Sequence, residues 1–164
     1  MKMRKPFLIL ACLAIGQLTQ AQLRVTPVCN PFNVDVVEGS VSNLFPESPL
    51  GDIRNRMPCF TEVIEEPSAT GCAGVFYKDK GISFYTYRDY IEITENFKGS
   101  MTLPLMGADH SNLFKWFGLP KVRDVSWEAY QMRHGILVVF FNATGRINKI
   151  ILSSKSAETI RLCD

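Results

Sequence analysis

The chain has 164 residues, 18 of them basic and 16 acidic, for a net charge of +2, and five cysteines. That is about one domain's worth of chain. It holds no low-complexity segment or long charge run, and no basic stripe of the kind that marks a nucleic-acid-binding protein.

Residues 1–21 read as a secretory signal peptide. Lys2, Arg4 and Lys5 precede a nine-residue apolar core, FLILACLAI, and Thr19 and Ala21 offer a small-residue cleavage site before Gln22. The apolar run is well short of the roughly 20 residues that a membrane-spanning helix needs. A lipoprotein reading, with Cys12 of ILAC acylated, ranks second, because only about five apolar residues precede Cys12 where the core of a signal has ~7–15. Cleavage would remove three basic residues and no acid, so fifteen basic and sixteen acidic residues would remain, a net charge of −1. The expected location is the periplasm or the exterior.

Four cysteines follow the leader: Cys29, Cys59, Cys72 and Cys163. An even number in an exported chain reads as two disulfides, with three connectivities open. Zinc is the competing reading, but zinc ligands come in close pairs, and the closest cysteines here are thirteen apart. We expect Cys59–Cys72, which would brace a long loop, and Cys29–Cys163, which would join the two ends of the domain.

After an N-terminal extension, 22–47, residues 48–164 read as one domain. Ser48-Pro49 is a helix start, with Ser as N-cap and Pro at the first helical position. Leu50, Ile53 and Met57 make its apolar stripe, and Pro58 ends it. A loop over 59–74 leads into VFYKDKGISFYTY and then YIEIT, both strand-like. In the second half, Asp109 can cap a helix from Ser111 with Leu113, Phe114, Trp116 and Phe117 at helical spacing. Gly118 and Pro120 stop it. Strands follow at 127–132, 135–141 and 146–152, the last two joined by the turn NATG. Gly81-Ile82 aligns with Gly135-Ile136, 54 residues later. We therefore expect an α+β fold of two similar units, about 48–98 and 107–153. Each is a helix, a loop and three antiparallel strands, with the short helices packed on one face of a sheet of about six strands.

Gly107, Leu113, Phe117-Gly118, Pro120, Trp127, Tyr130 and the run FNATGRINKI form a pattern that resembles the BamE/OmlA-type outer-membrane lipoproteins. The doubled helix-plus-hairpin arrangement is similar to the architecture of the β-lactamase inhibitor protein. The resemblance covers about 45 residues of the second half well and the first half loosely. BamE-type proteins carry one unit and a well-placed lipidated cysteine. This chain carries two units, disulfides and a poor lipidation site. What the resemblance implies is a small envelope or secreted protein that works by binding proteins.

The catalytic inventory is thin. The only histidines are His110 and His134, and no nucleophile elbow, zinc-protease helix or phosphate loop is present. His110 beside Asp109 could join a metal site, but a helix cap with an exposed neighbour is the simpler reading, and His134 reads as a solvated turn residue. Glu62, Glu65 and Glu66 form a solvated acidic cluster. No cofactor or metal is expected. A small secreted hydrolase or metal-dependent enzyme using His110 or His134 remains the alternative to a non-enzymatic binding module.

The strand at 135–141 is apolar on both faces. We expect Ile82, Phe84, Ile136, Val138 and Phe140 to face the helices. Ser83, Tyr85, Tyr87, Leu137, Val139 and Phe141, with Tyr90 on the next strand, would form the opposite, protein-binding face. The competing readings are that the N-terminal segment, from Leu23 to Leu44, covers that face or that a homodimer buries it.

Overall fold

The computed structural model describes residues 27–66 and 71–163. The leader and Cys12 lie outside the described residues. In chain order the elements are β1 (Phe32–Asp35), β2 (Ser40–Val41), α1 (Leu50–Arg56), β3 (Glu62–Ile64), β4 (Gly74–Tyr77), β5 (Ile82–Tyr85), β6 (Tyr90–Thr94) and β7 (Gly99–Met101). Then come α2 (Ser111–Phe117), β8 (Val122–Arg123), β9 (Trp127–Met132), β10 (Gly135–Phe141) and β11 (Ile147–Ser153). No helix among the described residues is long and apolar enough to cross a membrane.

The main sheet has eight strands in the order β3-β4-β5-β6-β11-β10-β9-β8, with every neighbour antiparallel. A second, three-stranded sheet, β2-β1-β7, includes one parallel pair, β1 with β7. The α+β expectation is therefore corrected: the described residues are mostly β, 38% strand against 13% helical. Each α-helix has seven residues, about two turns and roughly 10 Å of rise. The expected three strands after each helix become four in the main sheet. β3 and β8 are three and two residues long, too short to show an alternation in sequence.

Local chemistry sets the helix ends. His110, and not Asp109, occupies the cap position of α2, and Asp109 Oδ1 accepts the Ser111 N–H at 2.9 Å from one residue earlier. Gly118 closes it with φ 74°, its N–H donating to the Phe114 carbonyl. Ser48 is not the cap of α1: its Oγ instead accepts the Phe45 N–H at 2.8 Å, and Pro49 occupies the cap position.

One face of the main sheet carries the principal core. Val75, Tyr77, Ile82, Phe84, Ile91, Ile93, Leu137, Val139, Ile150 and Leu152 pack there against Ile53 and Met57 of the first helical region and Leu113 of α2. Phe32, Val34, Val36, Val41 and Leu44 of the N-terminal segment join the same core. Residues 32–44 therefore sit on the helix side and do not cover the tyrosine face. On the other face, Tyr90, Ala129, Ile136, Val138 and Ile151 form a smaller cluster under Ala157, Ile160 and Cys163 of the C-terminal tail.

The face assignment holds for Ile82 and Phe84 and is reversed for β10. Leu137 and Val139 face the helices, while Ile136 and Val138 face the tail. The two hairpins have different loops. Tyr77 pairs with Ile82 across four residues, whereas Met132 pairs with Gly135 across two. Ile82 thus corresponds to Gly135 and not to Ile136. A one-residue slip in a period of two exchanges every side chain between faces.

The disulfide pairing is also corrected: the bonds are Cys29–Cys59 and Cys72–Cys163. The β3–β4 hairpin pairs Glu62 with Phe76 and Ile64 with Gly74. Continuing that antiparallel register puts Cys59 and Cys72 at opposite ends of the hairpin, so they cannot meet. Two disulfides fit an oxidising, extracellular or periplasmic compartment.

Gly135 lets β10 enter the sheet. Its φ is 111°, and a Cβ there would lie 1.9 Å from the Ser153 carbonyl oxygen of β11. Gly145 also has positive φ, 75°, but a Cβ there meets nothing within 4 Å. Gly145→Ala should cost about 1–2 kcal/mol, the ordinary left-handed penalty. Gly135→Ala should cost several-fold more, because the β10–β11 backbone must also separate. Urea denaturation of the two variants checks this, and equal costs would show that the strand approach is not constrained at Gly135.

Candidate functional site

The residues expected to form one binding face are divided by the fold. Ser83, Tyr85 and Tyr90 share the face away from the helices, and Tyr87 lies in the β5–β6 turn. Tyr90 is fully buried. Tyr85 stacks on it with ring centroids 4.4 Å apart, and the Tyr90 hydroxyl accepts the Cys163 N–H at 2.9 Å. Burial pushes both tyrosine hydroxyls above the ordinary phenol range. Leu137 and Val139 are fully buried on the helix side, with Phe141 half-buried beside them. Of these residues only Tyr87 is exposed, at 59%, with the Arg88 guanidinium 5.9 Å from its ring centre.

A different surface gathers at the far end of β10. The β10–β11 register shifts between Phe140, which pairs with Lys149, and Phe141, which pairs with Ile147. Asn148 is thus the extra residue of a bulge, and bulges re-aim the side chains beside them. Phe140 carries Lys149 Nζ over its ring at 4.5 Å, and Phe141 meets His110 edge-on at 4.9 Å. Three hollows adjoin this bulge. A cleft of about 560 Å³ runs from Phe141 to Arg123, Val125 and the 142–145 turn. A second, of about 440 Å³, shares Ser126 and Phe141 with it and extends to Phe140, Asn148 and Lys149. A groove of about 270 Å³ shares Phe140 with the second and continues past Trp127 under the tail. Val125 is 99% exposed at the lip. Two other clefts, near Cys29 and along β1–β2, lie on the N-terminal segment.

The larger cleft has a charged floor. Glu128 is buried, with 1% of its surface exposed. It lies on β9 at the same parity as Tyr130 and Met132 and pairs with Val139 of β10, so its carboxylate points to the helix side. His110 Nε2 lies 3.0 Å from Oε1, Arg123 Nε donates to the same oxygen at 2.6 Å, and the Tyr130 hydroxyl donates to Oε2. Burial pushes the Glu128 carboxyl up, but the hydrogen bonds from Tyr130, His110 and Arg123 outweigh it and hold the group below its ordinary range. The Tyr130 hydroxyl is pushed up by burial and by the adjacent carboxylate. His110 is therefore a positioned residue rather than a plain neighbour of a cap. Glu128 and Arg123 escaped the sequence reading. The available signal was an acid on the inward parity of WEAYQM.

His134 has no such setting. It faces Glu38 at 3.4 Å and Phe45 edge-on, joining the β9–β10 turn to the N-terminal hairpin. Glu62 pairs with Lys78, and Glu65 with Arg54 at 3.0 Å. No group of three or more metal-binding side chains occurs among the described residues. Comparison with family models, with curated proteins and with solved structures found no match to this chain.

Glu128→Gln should cost about 1–3 kcal/mol near neutral pH, the scale of a disturbed buried hydrogen-bond network. The folded-state pKa lies below the unfolded one, so the carboxylate's contribution is complete above the ordinary carboxylate range. It is lost as pH falls through the depressed folded value. The gap between wild type and variant, measured by urea denaturation, should close in acid. A gap that stays constant with pH would mean that Glu128 is not charged in the folded protein.

Proposed function

We propose that the chain is an exported, non-enzymatic protein-binding module, an inhibitor or a cell-envelope assembly partner. The observation that carries this is the set of three hollows that adjoin the Phe140–Phe141 bulge at one end of β10, with Trp127, Phe140 and Phe141 in their walls and Val125 at the lip of the largest of the three. Aromatic and arginine side chains beside a hollow are the usual anchors of protein interfaces. The resemblance of the second half to envelope lipoproteins points the same way, and the two disulfides accord with export.

The test is capture from envelope extract by the full chain, with chemical cross-links mapped to residues. Cross-links should fall at 121–126 and 140–149. Val125→Asp should lower recovery about tenfold or more, the scale of a hot-spot residue, at unchanged melting temperature because the side chain is exposed. Tyr87→Ala should have little effect. Loss of capture with Tyr87→Ala and not with Val125→Asp would move the contact to the tyrosine turn.

One observation favours an enzyme as the second reading. His110 is oriented by a buried carboxylate beside a cleft of about 560 Å³, the arrangement of an imidazole acting as general base. Turnover in a panel of ester and peptide substrates, abolished by His110→Ala, would establish it. An inactive wild-type protein would remove it.

A further inference from the structure

After Ser153 the chain leaves the sheet and doubles back over its second face. Residues 154–163 form no strand or α-helix. Their one turn is local, with the Thr159 and Ile160 N–H groups donating to the Ser156 carbonyl. At the near end the tail is anchored to Asp89, through Lys155 Nζ at 2.7 Å and the Ser154 N–H at 3.3 Å. At the far end Cys163 is bonded to Cys72 and donates its N–H to Tyr90. Between these anchors the contact is apolar: Ala157 and Ile160, both half-buried, rest on the cluster of Ile136, Val138, Ile151 and Tyr90. The fit is incomplete. The groove of about 270 Å³ bounded by Trp127, Val138 and Phe140 remains open beneath Ile160 and Leu162.

This cover differs from the one on the helix side. There, two helices and a second sheet enclose the core, and Cys29–Cys59 joins a segment that enters it at Phe32 to one that contacts it at Met57 and Phe60. On the tail side, a ten-residue chain end without strand pairing covers buried aliphatic and aromatic side chains. Its far half is held by one covalent bond, which spans 91 residues of sequence, by the single Cys163–Tyr90 hydrogen bond and by the packing of Ile160. The strands beneath are independently paired: β10 with β9 and β11, and β11 with β6.

We propose that residues 154–163 are a releasable strap, locked by Cys72–Cys163 and opened by a dithiol reductant. One thiolate of the dithiol attacks a sulfur of the pair, breaking its S–S bond and forming a mixed disulfide. The second thiol resolves it. The reductant leaves as its own disulfide, and two electrons and two protons end on Cys72 and Cys163. The far half of the strap then lifts, and the face carrying Trp127, Ile136, Val138 and Phe140 opens while the eight-stranded sheet persists. The inference concerns this chain's own cover and holds whatever partner the concave end binds.

Trp127 is the reporter. The chain has two tryptophans, so Trp116→Phe leaves Trp127 alone. In that background the oxidised full chain is compared with the Cys72→Ser/Cys163→Ser variant, which keeps Cys29–Cys59, and with protein treated with limiting dithiothreitol. Loss of the bond should speed hydrogen exchange at 157–163 roughly tenfold or more and raise acrylamide quenching of Trp127, with β6, β10 and β11 still protected. Limiting dithiothreitol should label Cys72 and Cys163 before Cys29 and Cys59, and reoxidation should restore protection. Unchanged exchange and quenching in the variant would overturn the proposal, since the tail would then be held without the bond. So would loss of protection across β6, β10 and β11, which would make the bond a brace of the whole fold. Labelling of Cys29 and Cys59 first would show that the strap bond is not the one that opens.

Discussion

Strand β10 is buried on both faces, and the rest of the structure answers that constraint. It lies between β9 and β11, with Leu137 and Val139 pointing one way and Ile136 and Val138 the other. An antiparallel sheet with one polar face needs a single cover, whereas this one needs two. Two seven-residue helices are too small to cover eight strands. The N-terminal segment therefore completes the first cover, with β1 paired to β2 on one side and to β7 on the other, and the C-terminal tail makes the second. Each of these two covering segments is tied down by a disulfide, at Cys29 and at Cys163. Such bonds stabilise a small domain by restricting the unfolded chain, by about 2–4 kcal/mol each, and here they also hold down segments that have little secondary structure of their own.

The edge of the sheet imposes a second requirement. β8 is two residues long, so the outer side of β9 is only partly closed. A carboxylate stands at the inward position there. Glu128 remains charged because donors from three elements converge on it: His110 at the start of α2, Arg123 on β8 and Tyr130 on β9 itself. The cluster thus ties α2 to the sheet edge, and the cleft above it is what remains between the 123–126 loop and the 142–145 turn. The concave end of the molecule is therefore built by a short edge strand and a bulge, two interruptions of regular pairing, rather than by a dedicated loop.

Some of this was legible in the residues. Short apolar periodicities with clear stops placed both helices, because capping and termination act over four or five neighbouring residues. At α2, Gly118 closes the helix as expected, whereas the cap position is held by His110 and Asp109, one residue earlier, accepts the Ser111 N–H. The strands β9, β10 and β11 were visible because each is long enough to alternate. β3, β8 and the N-terminal strands were not, because two to four residues carry no measurable period and their partners are distant: Phe32 pairs with Gly99. Glu128 sat in plain view on the inward parity of β9, but the donors that keep it charged come from elsewhere in the chain.

The sequence by itself determined the local elements, the even set of cysteines and the doubly apolar strand, since each depends on neighbouring residues or on composition. Only the tertiary structure decided which alternate set of β10 faces the helices. That turned on a hairpin two residues long rather than four, and one residue of register inverts a strand. It decided the disulfide partners too, because antiparallel pairing of β3 with β4 carries Cys59 and Cys72 to opposite ends of the hairpin. And it decided that the tail around Ala157, Ile160 and Cys163, and not the segment from Phe32 to Leu44, lies over the tyrosine face. Which segment lies over a sheet depends on where strands of distant sequence come to rest beside one another, and no local pattern records that.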